Sequence, residues 1–169
     1  MGSEWLSAAI LLGTITSTAA VLTFILWGKV SGSRRMLVVL FLGLFAGIGG
    51  ASHGPGEMFQ GSAAPTGLMI EAWPSLTLLN GEPAMTLIPN YLVTGILAVV
   101  MGIVVATWTA ISVGRRNGGL ILILLSVLML PSGAGLMPPI PGVVAGALSH
   151  WNDLKSVDSR VACAANSRM

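Results

Sequence analysis

Charge is scarce in this 169-residue chain: eight Lys/Arg and six Asp/Glu make up only 8% of it, while hydrophobic residues make up 54%. A water-soluble domain carries roughly 25% charged residues. So few charges could not cover a water-facing surface, so the solvent around most of the chain must be lipid. The mean hydropathy of +0.86 agrees. The net charge of +2 comes with no basic stripe, which excludes a nucleic-acid partner. A single cysteine, Cys163, excludes an internal disulfide and any Cys-x-x-Cys motif. It sits in VACAANS without a neighbouring base, and no Gly-x-Ser-x-Gly occurs, so covalent catalysis has no foothold. The amino terminus lacks the basic region of a cleaved signal peptide, since Glu4 precedes the first apolar run and Lys29, Arg34 and Arg35 follow it. Leu6 occupies the position where an N-myristoylation signal has Ser or Thr.

What is present is four apolar runs: Trp5–Gly28, Met36–Ala51, Pro89–Val113 and Gly119–Met137. A crossing needs about 20 apolar residues, which gives expected spans of about 5–28, 34–51, 89–113 and 119–137. No run contains a charged residue, and apolar side chains surround each helix on every face. The fold class expected is an all-α integral membrane protein: a four-helix transmembrane bundle of two tandem helical hairpins, forming one transmembrane domain over 1–169. Each hairpin is helix, short basic turn, helix, and each outgoing helix ends in a Gly-rich stretch, FAGIGGASHGPG or PSGAGLMPPIPG. That likeness is too slight to establish an internal repeat.

Orientation follows from the Lys/Arg distribution. The turn 29–35 carries Lys29, Arg34 and Arg35, and the turn 114–118 carries Arg115 and Arg116. The segment 52–88 carries Glu57, Glu71 and Glu82 but no Lys or Arg. The turns are therefore expected in the cytoplasm, and the amino terminus and the loop 52–88 outside it. Trp5 and Trp27 lie 22 residues apart, about 33 Å along a helix, near the distance between two membrane interfaces. After Pro138–Pro141, residues 142–154 place Val144, Leu148, Trp151 and Leu154 at helical spacing, reading as a short interfacial helix. The alternative is a fifth span through 131–149, which would bring Lys155, Arg160 and Arg168 to the cytoplasm; the prolines and the cramped length oppose it.

Lipid supplies no hydrophobic drive between helices, so packing should rely on small residues. Gly43, Gly47 and Ala51 recur every four residues in the second span, and Ala98, Gly102, Ala106 and Ala110 in the third. These faces are expected to pack closely, on each other or on another subunit.

The 37-residue loop Ser52–Ile88 is long enough to suggest a function. Its turn residues predict order, with Asn80-Gly81 a hairpin signal between apolar stretches and Pro83 weakening the second strand. Candidate ligand-binding residues are His53, Glu57, Gln60, Glu71, Trp73 and Glu82. Within HGPGE, Pro55 reads as the first residue of a new helix, with Glu57 at its positive end and His53 an interfacial polar group. His53, Glu57 and His150 are weak candidates for Zn, Cu or haem iron, on the expectation that both histidines lie at the outer side. No cofactor is identified. The spans themselves contain no ionisable residue, which argues against a proton-coupled pump. Three roles follow. The leading one is a non-catalytic accessory or assembly subunit, partnered by lipid and by other membrane subunits or copies of itself. The second is a small-molecule, lipid or ion binder or transporter with its site under the loop. The third is a metal- or haem-binding membrane enzyme.

Overall fold

The computed structural model describes residues 2–28, 33–71, 83–112 and 115–151. The chain is mostly helical. Three helices, Leu6–Trp27, Arg34–Met58 and Tyr91–Ser112, are long and apolar enough to cross a membrane. The named elements run α1 (Gly2–Trp27), α2 (Arg34–Met58), β1 (Met69–Glu71), β2 (Pro83–Met85), α3 (Tyr91–Ser112) and α4 (Gly118–Met129). A fifth helix, α5, begins at 139 and is described through 151.

α1 touches the rest of the molecule along one stripe, with Ala8, Ile15, Ala19 and Thr23 buried and Ala19 packed with Leu40 and Leu44 of α2. Its other faces present Leu6, Ile10, Val21, Phe24 and Ile25 outward. The hydroxyls of Thr14, Thr16, Thr18 and Thr23 donate to carbonyls one turn back within the helix, the usual way a hydroxyl is satisfied in an apolar medium.

α2 and α3 form the tightest pair and run antiparallel. Gly43 faces Thr109, Gly47 faces Ala106 and the carbonyl of Gly102, Gly102 faces Ala51, and Gly54 faces Gly95 and Val99. A Cβ on Gly47 would lie 2.6 Å from the Ala106 amide nitrogen, a position a real Cβ cannot take. The two backbones therefore meet with no side chain between them. Ala98 is fully buried in the main apolar cluster, with Val39, Ala46, Val105, Leu122 and Met129.

The antiparallel pairing brings Arg34–Arg35 and Arg115–Arg116 to one end of the molecule, all four exposed. The turn into α4 there is made by Asn117 in the left-handed region at φ 62°, and the Trp108 indole donates to the Gly118 carbonyl at 3.1 Å. The other end, the loop end, carries β1 and β2.

Two expectations are corrected and a third falls outside the described residues. First, α2 does not stop near Gly50 with a new helix starting at Pro55. It runs unbroken through Gly54-Pro55-Gly56 to Met58, with Pro55 inside the helix and exposed. An interior proline costs about 3 kcal/mol, but Gly54 beside it lets this turn pack directly on Gly95 and Val99 of α3. Second, the C-terminal helix does not lie as an interfacial segment beside a four-helix bundle. α5 packs lengthwise and antiparallel on α4, with Gly146 against Gly119 and Ile123, and Gly142 against Ser126. The chain thus has five helices among the described residues, although α4, with 12 residues, reaches only about 18 Å. The expected turn at Asn80-Gly81 lies outside the described residues; among those described, β2 pairs antiparallel with β1, Ile70 opposite Ala84, two side chains that share a buried face.

The α2–α3 contact predicts a contrast among glycine variants. Gly47→Ala and Gly102→Ala should each lower the stability of the detergent-solubilised protein by ~1–3 kcal/mol, since the backbones must separate. Gly13→Ala, with nothing within 4 Å of the added methyl, should be neutral or slightly stabilising in the same thermal unfolding measurement.

Candidate functional site

The continuation of α2 past Gly50 decides where its ionisable residues go. His53 and Glu57 stand one turn apart on one face of a single helix, and both are 0% exposed. They are therefore inside the protein, on a helix long and apolar enough to cross a membrane, against the expectation of spans free of ionisable residues. Glu57 is in the last turn of α2, so it does not sit at a helix start, and His53 is buried one turn before it.

Glu57 is enclosed by α3 and by the segment connecting α4 to α5. Gly133, at φ +83°, comes close to it: a Cβ there would lie 2.7 Å from Glu57 Oε2 and would collide with the Thr94 methyl. Thr94 Cγ2 and Glu57 Oε2 are accordingly within about 5 Å of each other. Neither carboxyl oxygen of Glu57 has a hydrogen-bond partner among the described residues. A polar group buried without a partner costs several kcal/mol.

Above Glu57 lies a small hydroxyl cluster. Thr94 Oγ1 and Thr86 Oγ1 are 2.8 Å apart, both hydroxyls reach the Ile88 carbonyl at 3.2 Å, and the Ile88 amide donates to Thr86 Oγ1 at 3.1 Å. Thr86 is held by the lid: its amide donates to the Leu68 carbonyl, it bridges to Ser132, and the Gly133 amide donates to the Met85 carbonyl at 3.0 Å. The loop and the α4–α5 connector are thus hydrogen-bonded to one another over the carboxyl. A cleft of about 240 Å³ opens on the loop side, lined in part by Pro65, Thr66, Leu68, Thr86 and Ile88.

The other candidates fall elsewhere. Gln60 donates back to the Gly56 carbonyl at 3.4 Å. Glu71 ends β1, paired with Pro83. Trp73 and Glu82 lie outside the described residues. His150 is corrected: its backbone nitrogen lies beside Gly119 at the arginine end, because α5 returns along α4, so it and His53 are at opposite ends of α4. Among the described residues no group of three or more His, Cys, Asp and Glu converges as a metal site. Sequence reasoning missed Thr86, Thr94, Ser132 and Gly133 as site residues. Gly133 lay within a Gly-rich stretch already singled out, but nothing in that stretch pointed to Glu57.

Compared with known protein families, curated proteins and solved structures, the chain matches none.

Two outcomes are expected from substitution here. Glu57→Met keeps the volume and removes the unpartnered carboxyl, so thermal unfolding in detergent without added ligand should show a gain of ~1–3 kcal/mol. Gly133→Ala should destabilise by at least ~1–3 kcal/mol in that measurement, because the left-handed backbone and the filled space both oppose a methyl.

Proposed function

We propose that the chain is a membrane-embedded binder of a small cation, with Glu57 as the group that receives it, beneath a loop on the extracytoplasmic side. The observation carrying this reading is the fully buried Glu57 carboxyl without a hydrogen-bond partner among the described residues. An ionisable residue within a membrane bundle marks an ion or proton site by default. The size of the ligand is limited by the walls: the Gly133 side of the carboxyl has no room for a methyl group, which favours a proton or a single bare ion over an organic molecule. The sidedness rests on the arginines at the far end.

The accessory-subunit reading drew on free small-residue faces, and Gly43, Gly47, Ala51, Gly102 and Ala106 are engaged inside the chain. What still favours assembly with a partner is α1, whose outward apolar faces could meet another subunit as well as lipid. Purification in mild detergent addresses that second reading, and a lone chain with no co-purifying protein counts against it.

The cation reading is tested by thermal unfolding of purified wild-type protein and Glu57→Gln across added Na⁺, K⁺, Mg²⁺, Zn²⁺ and across pH. A ligand that binds only the folded state stabilises by about 2.7 kcal/mol at a hundred times its dissociation constant. At least one cation, the proton included, should stabilise the wild type saturably and leave the variant unmoved. Identical responses of the two proteins to every cation and pH would exclude the reading.

A further inference from the structure

We infer that the lid over Glu57 is seated in the membrane leaflet opposite the arginines, with lipid acyl chains covering Phe59, Leu68, Met69 and Leu87. This seating is independent of what Glu57 binds.

The lid is made of residues 58–71, residues 83–90 and the α4–α5 connector 130–138. Its described residues carry one charged residue, Glu71 at the last position of β1. At the opposite end of the molecule Arg34, Arg35, Arg115 and Arg116 all stand exposed. A stretch of this size in a water-soluble domain would carry several charges. In their place the lid turns large apolar side chains outward: Phe59 is 73% exposed, Leu87 63%, Leu68 59% and Met69 52%. Side chains alternate along a strand. Ile70 and Ala84 fill the buried face of the strand pair, so Met69 belongs to the outer one.

The helices beneath set the depth of the lid. α4 starts at the arginine end and is about 18 Å long, and α5, over 139–151, is about 20 Å. The hydrocarbon core of a bilayer is about 30 Å thick, so this pair ends roughly 10 Å short of the far boundary. The lid sits on that end: Thr86 bridges to Ser132, the Gly133 amide donates to the Met85 carbonyl, and the Leu87 amide donates to the Pro131 carbonyl. It fills the missing depth.

The apolar surface of the spanning helices also leads onto it. Val93, Ile96, Val100 and Ile103 form an outward row along one face of α3. That row rises to the helix start at Tyr91, whose amide donates to the Ala63 carbonyl of the lid. On α2, the outward Phe59 directly follows the last turn. This continuity selects lipid as the occupant over a second protein. Backbone beside hydrocarbon must have its polar groups paired, and the lid meets that demand widely. The Gln60 and Gly61 amides donate to the Glu57 and Met58 carbonyls, the Thr86 amide to the Leu68 carbonyl, the Leu92 amide to the Gly61 carbonyl, and the Ile88 amide to the Thr86 hydroxyl.

The test is a spin-label depth measurement on the full chain in phosphatidylcholine vesicles, with Cys163→Ser removing the native thiol. Single labels are placed through Phe59→Cys, Leu68→Cys and Leu87→Cys, three outward positions where a label displaces no core side chain. Ile103→Cys, outward on α3, serves as the hydrocarbon reference and Arg116→Cys as the water reference. Each label collides with dissolved oxygen, which concentrates in hydrocarbon, and with a polar nickel chelate, which stays in water. The oxygen-to-nickel collision ratio at the three lid positions should exceed that at Arg116→Cys by about tenfold or more, because a polar solute enters hydrocarbon at a cost of several kcal/mol. It should approach the ratio at Ile103→Cys. A ratio equal to that at Arg116→Cys would put the lid in water and overturn the seating. Few collisions with either reagent at all three positions would mean that protein covers the lid, and would overturn it as well.

Discussion

Everything at the loop end depends on the contact between the backbones of α2 and α3. Lipid does not drive helices together, so a membrane pair is held by close fit and dispersion. Here the fit is made by glycines on both helices, from Gly43 opposite Thr109 to Gly54 opposite Gly95. The second of these contacts sets the last turn of α2 beside the first turn of α3. Glu57 and Thr94 are neighbours for that reason. Side chains between the helices would separate the two turns, and the carboxyl would face lipid or water in place of a wall of protein.

The lid solves a second constraint. Irregular backbone buried inside protein needs partners for its polar groups. The α4–α5 connector meets this requirement with its own turn, Ser132 N–H to the Met129 carbonyl, and with the loop, Gly133 N–H to the Met85 carbonyl and Leu87 N–H to the Pro131 carbonyl. Two segments that the sequence separates by some forty residues thus supply each other's partners. The left-handed Gly133 is the point where this joined layer comes closest to Glu57, and only a residue without a Cβ fits there.

The helices long enough to cross a membrane were legible because hydropathy averages over many residues and needs no partner. The length of α2 was not. Gly-Pro-Gly carries strong local signals for ending a helix, and these are overridden by packing that no local reading contains. From that single misreading followed the placement of His53 and Glu57 outside the spans. His150 was misplaced for a related reason: the prolines before α5 suggest a chain leaving the bundle, whereas α5 turns back along α4 through Gly142 and Gly146. Thr86 and Thr94 stand on either side of Pro89-Asn90, and no periodicity connects a loop residue to a helix residue across such a break. The site was legible as a loop worth attention and as one residue, Glu57. Its walls were not.

Three departures from ordinary chain preference meet within one turn of helix: a proline inside α2, an unpartnered buried carboxyl two residues later, and a glycine with positive φ laid over it. Each costs free energy, and packing does not require all three. A helix ending at Gly50 would avoid the first, and a methionine at 57 would avoid the second. Local choices that conflict with stability concentrate where function imposes them. The three are also coupled. Pro55, exposed between two glycines, sits in the helical turn that carries Glu57 into the interior. Gly133 then closes over the buried carboxyl beside the Thr94 methyl, at a point where no Cβ could be placed. These features together are what the proposed reading of Glu57 as a cation-binding group rests on.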